Sequence, residues 1–223
     1  MRRTTLIHTA LLMAIVAVMP GFAPAADPPA GFVSLFDGQT LAGWQGAIDG
    51  YDVVDGEIRS KPGVGGNLLT SDEFSDFVLR FEFRLTPGAN NGLAIRTPAK
   101  GDAAFDGIEL QILDDGHEKY RSIEPWQVHG SIYGVVAAER GTCLKPAGEW
   151  NSEEVTVDGT KIKVVVNGKT IVDADIAPFR DGQPTLDGKP HPGLQRKQGH
   201  IGFAGHHDEV HFRNIFIRPL GEK

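Results

Sequence analysis

The sequence predicts an all-β fold, a β-sandwich or jelly roll, and three observations carry that reading. Apolar and polar residues alternate through Phe77–Leu85, the period of a half-buried antiparallel strand. Asp158-Gly159 and Asn167-Gly168 separate short apolar runs, which is the chemistry of two-residue hairpin turns. No window of helical period is long enough to compete, and 28 glycines and 14 prolines suit a chain that turns often.

Residues 1–25 read as a signal peptide that precedes the fold. Arg2 and Arg3 give a basic start, residues 11–19 a short apolar run, and Ala23-Pro24-Ala25 the small residues a signal peptidase reads. The run falls short of the roughly 20 residues a membrane-spanning helix needs. Cleavage and a periplasmic or extracellular location are expected, with no membrane span. Residues 26–223 then form a single domain.

Strands are expected at 32–36 and 51–58, then at Phe77–Leu85. There Phe77, Leu79, Phe81, Phe83 and Leu85 share one face, and Arg80, Glu82 and Arg84 the other. Pro87-Gly88 and Asn90-Asn91-Gly92 are read as turns. Residues 93–96 and Ile108–Leu113 form the next strands, separated by the loop around Lys100-Gly101-Asp102. Residues 155–157 and Lys161–Val166 pair across Asp158-Gly159, and Asn167-Gly168 leads into 170–172. A loop over 179–198, rich in Gly, Pro and Lys, is long for a compact domain, as functional loops often are. Strands at 201–204 and 210–217 close the fold.

Charge and cysteine content exclude several function classes. The 223 residues are ample for a self-sufficient core. They carry 22 Lys and Arg against 29 Asp and Glu, a net charge of -7. An acidic chain lacks the electrostatic footprint of a nucleic-acid binder. The single cysteine, Cys143, rules out an intrachain disulfide and a Cys-rich metal knuckle. It reads as a small hydrophobe, because nothing beside it in sequence would lower its pKa.

Strand parity locates the candidate site. With Ile108, Leu110 and Ile112 facing the core, Glu109 and Gln111 lie side by side on the opposite face. In the preceding strand Arg96 falls on the polar face, where a neighbouring register would bring it to Glu109. Carboxylate, amide and guanidinium between aromatic rings suit sugar hydroxyls and the apolar sugar face; Trp126, Tyr133 and Trp150 are the candidate rings. His129, His200, His206, His207 and His211 form a second polar group without a metal-ligand spacing. Glu109-x-Gln111-x-x-Asp114 also resembles the Glu-x-Asp-x-x-Glu strand of laminarinase-type glycosidases. There two carboxylates roughly 5 Å apart perform the retaining reaction. Gln111 replaces the central acid, which counts against a retaining β-glucanase.

Several phrases, in order and spacing, are similar to one family. They are 31–41 with Trp44, 91–96, 107–114, 129–134, 146–151 and 199–203 through 212–215. Together these span the mature chain, which resembles the 3-keto-disaccharide hydrolase domain family. The resemblance implies a concanavalin A-like jelly roll acting on glycosides, disaccharides or oligosaccharides whose glucose C3 hydroxyl is oxidised to a ketone. Such a ketone acidifies the C2 proton, so one positioned base can start expulsion of the C1 group. The resemblance implies Glu109 or His129 as that base. Arg96, Gln111, Tyr133, Trp150, Asn151 and His206 are the implied substrate contacts. Arg96, or a divalent metal held by His and Glu, would stabilise the enolate. The chain departs from the family pattern at Phe203-Ala204-Gly205-His206, where family members often carry Gln before Gly-His. The rival function class is a non-catalytic carbohydrate-binding module, which the same sandwich supports.

Overall fold

Two antiparallel sheets face each other across the apolar faces that the alternation marks. The computed structural model describes residues 26–141 and 143–221; the expected signal peptide lies outside the described residues. Strands are numbered in chain order. The larger sheet runs β11 (Lys169–Asp175), β10 (Lys161–Val166), β9 (Trp150–Asp158), β6 (Phe77–Leu85), β13 (Val210–Pro219), β4 (Glu57–Ser60), β3 (Tyr51–Val54). The short β1 (Val33–Ser34) also pairs with β13. The smaller sheet runs β2 (Trp44–Gly46), β5 (Gly65–Thr70), β12 (His200–His206), β7 (Asn90–Thr97), β8 (Ile108–Leu113). The fold is a β-sandwich, as the sequence predicts.

The core lies between the sheets. Phe77, Leu79, Phe81, Phe83 and Leu85 of β6 are buried in it, together with Ile108, Leu110 and Ile112 of β8. Phe203 of β12 and Phe212 of β13 stack across the gap at 3.6 Å between ring centroids. Truncating either ring would cost about 3 to 5 kcal/mol, the usual cost of an emptied aromatic site.

Local sequence explains where the elements depart from expectation. Residues 51–58 form a hairpin rather than one strand, because Asp55 and Gly56 both take positive φ (53° and 81°). Asn90-Asn91-Gly92 does not turn the chain: it opens β7, where Asn91 is buried and its amide oxygen accepts a hydrogen bond from Gly92 N at 2.9 Å. The turn is completed at Pro87-Gly88, where Gly88 has φ 68°. Residues 65–70 form β5, a strand that alternation does not reveal. The 179–198 segment carries only one helical turn, α1 (Ala177–Arg180), at its start and a 3-10 turn at 192–195. Among the described residues no helix is long and apolar enough to cross a membrane.

Candidate active site

The outer face of the smaller sheet carries a cleft centred on Glu109. Its floor is made of small side chains on adjacent strands: Ala94 opposite Glu109, and Ala204 opposite Gly92. Leu69 and Ala103 pack with those two alanines. Gly92 is what allows Glu109 its position. A Cβ at residue 92 would lie 1.9 Å from Glu109 Oε1, so the carboxylate rests directly on bare backbone. Beside β8, the 130–133 segment adds a further rung. Gln111 N donates to Ser131 O at 3.0 Å and Tyr133 N to Glu109 O at 2.9 Å.

Glu109 and Gln111 are both only 5% exposed, although they face away from the core. The loops at 101–106 and 120–133 cover them. His206, at the end of β12, places Nε2 3.6 Å from Glu109 Oε1 while its own side chain stays 47% exposed. Burial pushes the Glu109 carboxyl above its ordinary 4.5; His206 opposes the rise and Asp102 adds to it. Glu109 in turn raises His206 above its ordinary 6.5, against its own partial burial. A buried carboxylate thus faces a half-exposed imidazole. Gln111 Oε1 is buried and accepts no hydrogen bond. Glu109 and His206 stand between two hollows. The first, of about 190 Å³, is lined by Gln111, Tyr120, Tyr133, Phe105 and Leu113. The second, of about 320 Å³, is lined by Asn67, Asp102, Ala103 and Ala204.

The structure therefore brings together Glu109, Gln111, Tyr133 and His206. It does not bring Arg96, His129, Trp150 or Asn151 to them. The strand pairing slips by one residue at Arg96, which takes φ 48°, so its side chain leaves the face its parity assigns. The guanidinium is buried and bonded to Ser75 O, Asp76 Oδ1 and Gly159 O. His129 lies between the sheets. Leu113 N donates to its Nδ1 at 3.2 Å, which leaves Nε2 bearing the hydrogen, 3.4 Å from the buried Glu153 of β9. Its ring packs on Phe83 at 5.1 Å. Trp150 sits on the outer face of the other sheet between the guanidiniums of Arg84 and Arg213, 4.9 and 4.0 Å from its ring. Asn151 is buried, and its Oδ1 accepts from Lys145 N and Asn167 Nδ2.

Asp102, Phe105 and Tyr120 were not among the residues read from sequence. They arrive on loops whose course is set by distant contacts, and only the Gly101-Asp102 turn chemistry marked one of them. Cys143 is half-buried, and burial, with Asp115 and Glu153 nearby, pushes its thiol up to about 11. Among the described residues no three His, Cys, Asp or Glu are arranged to hold a metal ion. Glu109 and His206 supply two donors and no third.

Fold and cleft define a two-sheet β-sandwich that carries a buried carboxylate, paired with histidine, on the outer face of its smaller sheet. Residues 31–218 match the 3-keto-alpha-glucoside-1,2-lyase-like domain, and the chain belongs to that family. A 3-keto-disaccharide hydrolase of Bacteroides thetaiotaomicron is 24% identical over 229 positions, covering 85% of this chain and 79% of that protein. A solved structure of a candidate glycosyl hydrolase from Parabacteroides distasonis has a TM-score of 0.76 at 29% identity, covering 85% of this chain and 99% of that one. A Bacillus subtilis protein with a galectin-like fold superposes at a TM-score of 0.52 and 10% identity, covering 82% and 92%, a likeness of fold alone.

Proposed function

We propose that this chain cleaves 3-keto-glycosides by removing the C2 proton, and that Glu109 is the base. The observation that carries the proposal is the Glu109–His206 pair: a buried carboxylate of raised pKa, with an exposed imidazole 3.6 Å away, between two hollows. A base works best when its pKa approaches the working pH, and burial moves Glu109 in that direction. Family membership and the Bacteroides thetaiotaomicron relative supply the substrate class.

The reaction balances without a second carboxylate. Glu109 takes the C2 proton, and the electron pair passes to the C3 oxygen as an enolate. As the carbonyl re-forms, the pair expels the C1 oxygen substituent, which takes up a proton, and a C1–C2 double bond remains. Water adding at C1 and C2 completes hydrolysis to the 3-keto sugar. The His206 imidazolium is placed to neutralise the enolate, a charge that exists only along the reaction path. The two hollows divide the substrate, one for the keto sugar and one for the departing group.

Turnover of an aryl 3-keto-glucoside, with and without chelator, tests the reading. Release of the phenol is expected. Saturable binding without release would replace the enzyme with a carbohydrate-binding module. We also infer export; the protein recovered from cells should begin at Ala26, by N-terminal sequencing.

A further inference from the structure

The 181–198 segment touches both sides of the Glu109 cleft from behind. On one side, Gly193 N donates to Phe105 O at 2.8 Å. His191 Nδ1 lies 3.0 Å from Ala104 O, and its ring packs on Phe105 at 4.8 Å between centroids. On the other side, Asp187 N donates to Gly134 O at 3.0 Å, directly after Tyr133. Phe105 and Tyr133 line the same hollow. One segment therefore spans from one wall to the other.

Its centre is a buried pair. His191 Nε2 lies 3.1 Å from Asp187 Oδ2, and both side chains are only 1% exposed. Both ring nitrogens of His191 face oxygen atoms, Nδ1 that of Ala104 and Nε2 those of Asp187. Asp187 is held from its own loop as well, accepting from Thr185 Oγ1 and Lys189 N at 3.0 Å each. The pair fits against bare backbone: a Cβ at Gly134 would lie 2.6 Å from Asp187 Oδ2 and 2.7 Å from His191 Nε2. Gly193 is equally close, since a Cβ there would meet Gly107 O at 2.0 Å. Polar side chains this deep are tolerated only when they are hydrogen-bonded, as both of these are. None of these groups reaches the cleft itself.

We propose that residues 181–198 form a strap that sets the distance between the two walls of the cleft, with Asp187 and His191 as positioning residues. The Ala104 end of His191 fixes the wall that carries Asp102 and Phe105. The Asp187 end fixes the wall that carries Tyr133. The proposal rests on the Glu109 cleft being the working site, and a small displacement of either wall would misplace a substrate held between them.

Two isosteric variants separate positioning from mere support. In His191→Asn the amide nitrogen takes the place of Nδ1 and keeps the bond to Ala104 O. In His191→Gln it takes the place of Nε2 and keeps only the Asp187 contact. Hydrogen–deuterium exchange by mass spectrometry is read on the full chain, beside kcat and KM for the aryl 3-keto-glucoside. For His191→Ala we expect faster exchange over 102–107 and 133–136, no change in β6 and β13, and a fall in kcat of about ten- to a hundredfold. Asn should restore most of both effects, and Gln should leave the 102–107 wall loose. Faster exchange confined to 181–198, or equal behaviour of Asn and Gln, would overturn the strap. If the alanine variant does not fold, the Asn and Gln pair still decides. If the wild-type chain shows no turnover, the proposed function fails while the exchange pattern still judges the strap.

Discussion

Among the histidine–glutamate pairs of the described residues, Glu109–His206 at 3.6 Å and Glu153–His129 at 3.4 Å have the two most deeply buried carboxylates. The first lies on the outer face of the smaller sheet. The second lies between the sheets, with side-chain exposures of 2% for His129 and 0% for Glu153. His206, by contrast, keeps almost half of its side chain in solvent. Both pairs place a carboxylate out of water, but only one has a route by which a proton can enter and leave. Access, not composition, distinguishes the two pairs.

That contrast is broken or sharpened by variants, taken from the largest expected effect. Glu109→Gln keeps shape and removes basicity; turnover should fall by roughly two to four orders of magnitude, with substrate binding retained. Full activity would transfer the base to another group. In the core pair the effect should appear in stability instead. Glu153→Leu removes the carboxylate that the His129 N–H faces at 3.4 Å and should cost about 1 to 3 kcal/mol in urea denaturation, with turnover per folded molecule unchanged. Adding His129→Leu should recover only part of that loss, since it also takes the acceptor from Leu113 N. A Glu153 variant of normal stability and low turnover would erase the distinction between the pairs.

The pH profile reports the outer pair alone. In the proposed mechanism Glu109 acts only when ionised, and its pKa is raised, so kcat/KM should climb through a midpoint above 4.5. In the same mechanism His206 acts as an imidazolium, and its pKa is raised too, so the rate should fall again through a midpoint above 6.5. Both raised values act in one direction on folding: the folded chain retains protons that the unfolded chain releases, so stability declines as pH rises through these ranges. His206→Gln should remove the alkaline limb and lower the maximum by about tenfold. A limb that survives would assign it elsewhere. The smallest effect is expected on the far sheet. Trp150→Phe weakens two cation–π contacts, each worth about 0.5 to 1 kcal/mol at exposed sites, and should leave turnover within about twofold. A larger loss would bring that face into the reaction.

Period two made β6 and β8 legible, and with β8 the shared face of Glu109 and Gln111. The turns at 158–159 and 167–168 were legible because Asp-Gly and Asn-Gly carry their own backbone preference. Arg96 was misplaced because parity assumes unbroken pairing, and one bulged residue in β7 turns the side chain away. His129 and Trp150 were misplaced for a different reason. Their chain neighbours resemble those of the true cleft residues, and only the order of strands says which sheet and which face each joins. That order depends on pairings such as β6 with β13, more than a hundred residues apart in the chain.

Gly92 has a consequence for how this site can diversify. The Glu109 carboxylate occupies the volume that any other residue at 92 would claim for its first carbon, so a side chain there must displace it. The cross-strand partner of Gly92, Ala204, lines the second hollow and packs on Leu69, Ala94 and Ala103, side chains rather than the carboxylate. A change at 204 would reshape the second hollow, one strand away, while the seat of the carboxylate stays defined by a missing side chain.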